Sequence, residues 1–118
     1  MSTPSYQELT RDISRNLTGL RTHNADVMQG FGALSKAAMA AGVLDEKTKE
    51  LIAMAIGVAS RCDGCLGFHA KALVRLGATP EEFREMLGVA VYMGGGPSLM
   101  YAAHAQAAYD EFAKAAVL

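Results

Sequence analysis

The stretch ELIAMAIGVASRCDGCLGFH, residues 50–69, predicts the local architecture and holds most of the chain's reactive side chains. Residues 51–59 are apolar on every side, which predicts a helix that is buried all round. Ser60 and Arg61 form a short spacer, and the cysteine motif then opens a second helix. Because the connection is so short, we expect the two helices to fold back on each other as a hairpin.

Both cysteines of the chain lie at the start of the second helix of this hairpin. Cys62 falls at or near the N-cap and Cys65 falls in the first turn. Free backbone N–H groups and the helix dipole stabilise a thiolate there, and the pair can form a disulfide with little backbone movement. His69 follows Cys65 by four residues, so its imidazole lies one turn along the same face and can take the thiol proton.

Glu50 is the carboxylate that the hairpin brings towards this histidine. Glu50 lies ten residues before Ser60, and His69 lies nine residues after it. At about 1.5 Å per residue, both are roughly 14 Å from the turn and therefore level with each other. An acid, an imidazole and a thiol in this order are the arrangement that nucleophilic catalysis uses. The candidate catalytic residues are therefore Cys65, Cys62, His69 and Glu50.

The rest of the chain also has helical patterns, and we predict about six helices in an all-α domain over residues 1–118. The predicted boundaries are a break at residues 21–24, a cap at Gly42, caps at Asp45 and Thr79, a stop at Gly77 and a corner at residues 94–97. No stretch alternates like a strand over a useful length, and no repeat or linker divides the chain.

Composition limits the classes of function. A net charge of −1 and a pI near 6.3 do not indicate the excess of positive charge that is typical of nucleic-acid-binding domains. The sequence has no signal-peptide pattern and no apolar run of about 20 residues, so we expect a cytoplasmic protein without a membrane partner. Close cysteines in that reducing compartment are more often catalytic or metal-binding than structural. A hydrophobic content of 51% favours self-association.

Glu50, eleven intervening residues and then C-x-x-C-x-x-x-H resemble the alkylhydroperoxidase D core of the carboxymuconolactone decarboxylase superfamily. The surrounding sequence, from GVLDEKTKEL to YMGGGP at about residues 42–97, resembles the same core. The resemblance implies an all-α fold whose chains assemble as homo-trimers or homo-hexamers. It also implies a thiol-dependent peroxidase or thiol-disulfide oxidoreductase that uses no bound cofactor and no metal.

The resemblance also implies a role for each candidate residue. Cys65 corresponds to the peroxidatic thiol and Cys62 to its resolving partner, while His69 and Glu50 correspond to the proton relay. The implied substrate is a small alkyl hydroperoxide, and the implied reductant is an external dithiol. The better-known peroxidases carry a further histidine just before the second cysteine, and this chain has Gly64 at that position.

Three alternatives remain open from the sequence. The cysteines can be two buried, inert thiols. They can bind zinc in a scaffold module, with His69 and either Glu50 or Asp63 as further ligands. The fold can also serve a lyase or isomerase of the decarboxylase branch, which generally lacks the cysteine pair.

Two features outside the motif have structural interpretations. His104 is predicted to be a helix-packing or subunit contact. An apolar zone surrounds the glycine corner, and we expect it to pack in the core, with an oligomer interface or a pocket wall as the alternatives. This zone comprises Met86, Tyr92, Met93, Met100 and Tyr101.

Overall fold

The computed structural model describes residues 5 to 117, and it has six helices and no strand over that range. The helices are α1 (Tyr6–His23), α2 (Ala25–Met39), α3 (Glu46–Ala59), α4 (Asp63–Arg75), α5 (Pro80–Gly94) and α6 (Gly96–Val117). This confirms the predicted all-α fold of about six helices. Residues 1–4 and 118, at the ends of the predicted 1–118 domain, lie outside the described residues.

Side-chain caps explain where the helices that follow the loops begin. The Asp45 side chain accepts a hydrogen bond from the backbone N–H of Thr48 at 2.8 Å and starts α3. Thr79 and Glu82 form a reciprocal capping box at the start of α5, with Pro80 in the first position. Both predicted caps are confirmed, and together they fix the register of the helices around the cysteine motif.

The helix ends agree less well with the sequence. The predicted cap at Gly42 is wrong, because Ala40 already has extended backbone angles, φ −61° and ψ 140°, and α2 ends at Met39. Gly77 and Gly95 have φ values of 79° and 75°, which glycine adopts at little steric cost. These two glycines turn the chain after α4 and between α5 and α6, where the sequence predicted a stop and a corner.

The core lies between α3, α4, α5 and α6, and α1 packs against α4 and α6. Its largest fully buried side chains are Phe83, Met54, Leu66, Leu73 and Val58. The ring of Phe83 lies 4.5 Å from that of Tyr109, whose hydroxyl donates to the carbonyl of Ala78 at 2.6 Å. This core holds α3 and α4, the two helices of the predicted hairpin, against each other.

The expectation that α3 is buried all round is wrong. Met54 and Val58 are buried, but Ile52 and Ile56 are exposed on the other side of the helix. The reason is that α4, α5 and α6 cover only one side of α3. The apolar outer side is left on the surface of the single chain.

Apolar side chains of α2 and of the glycine-corner zone are also exposed. Helix α2 contacts only α1 and α3 among the described helices and has no buried residue. In the glycine-corner zone, Tyr92, Met93 and Met100 are exposed, so core packing is wrong for these three. Met86 and Tyr101 are partly buried against the core, as predicted. The outer residues face away from the packed helices and leave a broad apolar surface.

Candidate functional site

The two cysteines lie at the N-terminus of α4 and form a disulfide, with their Cα atoms 5.2 Å apart. Cys62 is the N-cap, and its Sγ accepts a hydrogen bond from the backbone N–H of Cys65 at 3.2 Å. Both side chains are partly buried. The predicted N-cap and first-turn positions are therefore correct, and the positive end of the helix dipole lies beside both sulfurs.

A tight turn joins α3 to the cysteine motif and forms the predicted hairpin. The backbone N–H of Cys62 donates to the carbonyl of Gly57 at 3.1 Å, and Arg61 takes a left-handed conformation with φ 56°. A Cβ atom on Gly57 would lie 3.2 Å from the Cβ of Cys65. The lack of a side chain at Gly57 therefore lets the start of α4 pass close to α3.

Glu50 and His69 meet across this hairpin. The Oε2 atom of Glu50 lies 2.6 Å from the Nδ1 atom of His69. The Glu50 side chain is 10% exposed, whereas the His69 side chain is 30% exposed, so the carboxylate lies behind the imidazole as seen from solvent. An ionised carboxylate only accepts hydrogen bonds, so Nδ1 is the donor and Nε2 of the neutral ring is left as the acceptor.

This arrangement suits reversible thiol chemistry. The helix N-terminus favours a thiolate, and His69 lies one turn beyond Cys65 on the same helix. The buried carboxylate fixes the tautomer of the imidazole and stabilises the ring when it takes up a proton. A pair of sulfurs that already forms a disulfide can store and release two electrons without a cofactor.

Comparison with known proteins places this hairpin in a family. The model of the carboxymuconolactone decarboxylase family matches residues 25–115. The chain belongs to that family. The match contains the whole hairpin, and it extends beyond the family core of about residues 42–97 that the sequence predicted.

Two further relatives are similar to this chain over most of its length. An uncharacterized protein of Cupriavidus necator is 39% identical over 110 residues, which is 93% of this chain and 96% of that protein. The uncharacterized protein 4 in the cox locus of Paracoccus denitrificans is 40% identical over 87 residues, which is 74% of this chain and 78% of that protein.

Two crystal structures from the carboxymuconolactone decarboxylase family share the fold. The apo form of a Legionella pneumophila member is 55% identical, with a TM-score of 0.90 over 92% of this chain and 96% of that one. A Thermotoga maritima member, described as having a possible involvement in antioxidative response, is 28% identical, with a TM-score of 0.82 over 92% of each chain.

Helix α1 accounts for the glycine that departs from the family peroxidases. A Cβ atom on Gly64 would lie 2.8 Å from Cδ1 of Ile13, and one on Gly67 would lie 2.7 Å from Cγ2 of Thr10. The two glycines therefore form a shallow track on α4 in which α1 lies. A histidine at position 64 would require the end of the Ile13 side chain to move.

Asp63 carries interactions that the sequence did not predict. Its Oδ1 atom accepts a hydrogen bond from the Tyr6 hydroxyl at 2.8 Å and lies 3.0 Å from Nδ1 of His104. His104 was predicted to be a packing or subunit contact, and it does join α6 to α4. No local signal could have found this network, because Tyr6 and His104 are 57 and 41 residues from Asp63.

Two further observations concern metal binding and the membrane. Between residues 5 and 117 there is no group of three or more His, Cys, Asp or Glu side chains that could hold a metal ion. None of the six described helices is long and apolar enough to cross a membrane.

Proposed function

We propose that this family member is a thiol-dependent peroxidase that reduces small hydroperoxides by reversible oxidation of Cys62 and Cys65. The observation that carries the proposal is the cysteine pair at the N-terminus of α4, one turn from an imidazole that Glu50 holds at 2.6 Å. The description of the Thermotoga maritima member, with its possible involvement in antioxidative response, supports the same reaction class.

The proposed reaction begins with the reduced pair. The Cys65 thiolate attacks the terminal oxygen of the hydroperoxide and the O–O bond breaks. Cys65 becomes a sulfenic acid, and the alkoxide takes a proton that His69 supplies and leaves as an alcohol. The thiol of Cys62 then attacks the sulfur of Cys65, water leaves and the disulfide forms. An external dithiol reduces this disulfide by two exchange steps and is itself oxidised to a disulfide.

Mass spectrometry of the reduced protein tests the proposal. One equivalent of cumene hydroperoxide is expected to remove two hydrogens, located to Cys62 and Cys65. In His69→Ala the oxidation is expected to slow by at least about tenfold near neutral pH, because the proton relay is lost. His23→Ala is the control, since His23 is exposed at the end of α1. If peroxide leaves the pair reduced while an added disulfide oxidises it, the protein is an exchange enzyme and not a peroxidase.

We also propose that the chain assembles as a homo-trimer or homo-hexamer. The described surface carries exposed large apolar side chains on all six helices, most of them on α2, α3, α5 and α6, and contiguous apolar patches mark interfaces. They include Val27, Phe31 and Leu34 on α2, Ile52 and Ile56 on α3, Val89, Tyr92 and Met93 on α5, and Leu99 and Met100 on α6. Helix α2, which buries no residue on its own chain, is the element best placed to pack on a second copy.

Sedimentation velocity tests the assembly. We expect the wild type to sediment as a trimer or hexamer of the 12.5 kDa chain. Phe31→Ser is expected to shift the distribution towards smaller species, because it removes a large apolar side chain from the exposed side of α2. Lys36→Ser, on the same helix, is expected to leave it unchanged. A wild type that sediments as the monomer at micromolar concentration contradicts the proposal.

A further inference from the structure

A second carboxylate–imidazole pair lies on the cysteine motif. Asp63 is the first residue of α4 and follows Cys62 directly. One of its oxygens, Oδ1, lies 3.0 Å from Nδ1 of His104 on α6 and 2.8 Å from the hydroxyl of Tyr6 on α1. Three helices therefore meet on a single carboxylate oxygen of the residue that follows Cys62.

The chemistry of the three groups determines which of them donates each hydrogen bond. Burial and the hydrogen bond to Asp63 raise the pKa of Tyr6 well above its ordinary value, so the phenol stays neutral and donates. Because an ionised Asp63 only accepts, Nδ1 of His104 donates as well. The construction is the same as in Glu50–His69, where the carboxylate also holds Nδ1.

The second pair differs from the first in its access to solvent. The side chains of His104 and Asp63 are 51% and 41% exposed, against 30% and 10% for His69 and Glu50. His104 can therefore take a proton from solvent while it stays bound to Asp63. Protonation of His104 changes the net charge of the pair from −1 to zero.

A charge at Asp63 acts on the cysteines because it lies between them in the chain. A carboxylate near a thiol disfavours the thiolate, and a cation paired with that carboxylate removes the effect. The disulfide carries no charge and is insensitive to it. We propose that Tyr6, Asp63 and His104 form a positioning network that sets the thiolate content of the reduced pair, with protonated His104 keeping the thiols reactive at mildly acidic pH.

Other titratable groups lie on the elements that meet at this network. Tyr101 lies beside His104 on α6, with ring centroids 5.1 Å apart. Glu111 on α6 accepts from the backbone N–H of Tyr6 on α1 at 2.8 Å. The turn before α4 carries Arg61, which is exposed. None of these three groups is an imidazole, the side chain that ordinarily gains its proton in the mildly acidic range.

The pH profile of alkylation of the reduced protein by iodoacetamide tests the inference, with each cysteine followed by mass spectrometry. Asp63→Asn keeps an acceptor oxygen but removes the charge, and it is expected to speed alkylation two- to about tenfold at pH 6–7. His104→Asn keeps a donor near the Nδ1 position but cannot become a cation. It is expected to match the wild type at pH 8.5 and to react two- to about tenfold more slowly at pH 5.5.

Controls distinguish an effect of charge on the alkylation rate from an effect of altered structure. His23→Asn is expected to follow the wild-type profile, and 0.5 M salt is expected to shrink both effects, because half-exposed charges are screened. A ratio of His104→Asn to wild type that does not change with pH overturns the inference. If Asp63→Asn fails to fold, His104→Asn still decides, because it leaves the carboxylate and the Tyr6 bond in place.

The inference rests on the proposed redox function of the pair, but the two can fail separately. Alkylation measures thiolate content and needs no peroxide turnover. A protein that ignores peroxide and still shows the predicted profiles disproves the peroxidase and retains the network. A protein that consumes peroxide with three superimposable profiles disproves the network and retains the peroxidase.

Discussion

Replacing Cys65 with serine is expected to abolish peroxide consumption, because a serine hydroxyl at neutral pH does not attack the O–O bond as a thiolate does. Replacing Cys62 is expected to have a different result. The first half-reaction proceeds in Cys62→Ser, and the sulfenic acid on Cys65 accumulates because no second thiol condenses with it. Trapping with dimedone and mass spectrometry measure both outcomes.

The serine variants are well matched as controls for structure. Cys62 is the N-cap of α4, and serine is a favoured N-cap whose oxygen can accept the bond from the backbone N–H of Cys65. Cys62→Ser should therefore fold with little loss of stability, and its melting curve checks this. Equal and full peroxide consumption in the two variants contradicts the roles assigned to Cys65 and Cys62.

Gly64→His is expected to destabilise the protein by about 1 kcal/mol, the low end of the usual cost of forcing extra atoms into a packed contact, because the end of a flexible side chain has to move aside. The structural reason is that a Cβ atom at this position would lie 2.8 Å from Cδ1 of Ile13. The substitution introduces the histidine that the family peroxidases carry, so it also tests whether α1 and that histidine can coexist. Urea unfolding measures the change.

Two comparisons isolate the contact with α1. Gly19→His places the same residue in a helix where a Cβ atom meets nothing within 4 Å, and it is expected to cost little. In the double variant Gly64→His with Ile13→Ala, the loss is expected to be smaller than the sum of the two single losses, since the alanine makes room. Additive losses in the double variant would show that Ile13 is not the obstacle.

The parts of the site that the sequence predicted are those fixed by local geometry. The meeting of Glu50 and His69 followed from counting residues on either side of a short turn, since both helices rise by the same distance per residue. The position of Cys62 at the N-cap followed from the spacing of the motif. Such features depend on one hairpin and not on the rest of the chain.

The parts that the sequence missed depend on distant segments. The placement of α1 over Gly64 and Gly67 is set by packing between α1 and α4, and glycine at either position gives no sign of what will cover it. Tyr6 and His104 reach Asp63 from helices far along the chain. The exposure of Ile52 and Ile56 was mispredicted because an apolar sequence does not say which neighbour covers each side.

Gly57 sets a condition for any attempt to graft this constellation onto another scaffold. It has no functional group, but α3 and α4 approach each other there, with Cys65 3.2 Å from the point where a methyl group would begin. A designed protein that contained the acid, the imidazole and both cysteines, but a larger residue at the position of Gly57, would hold the two helices farther apart. The reactive groups would then be present but at the wrong distances from one another. A design should therefore keep this glycine together with the four reactive residues.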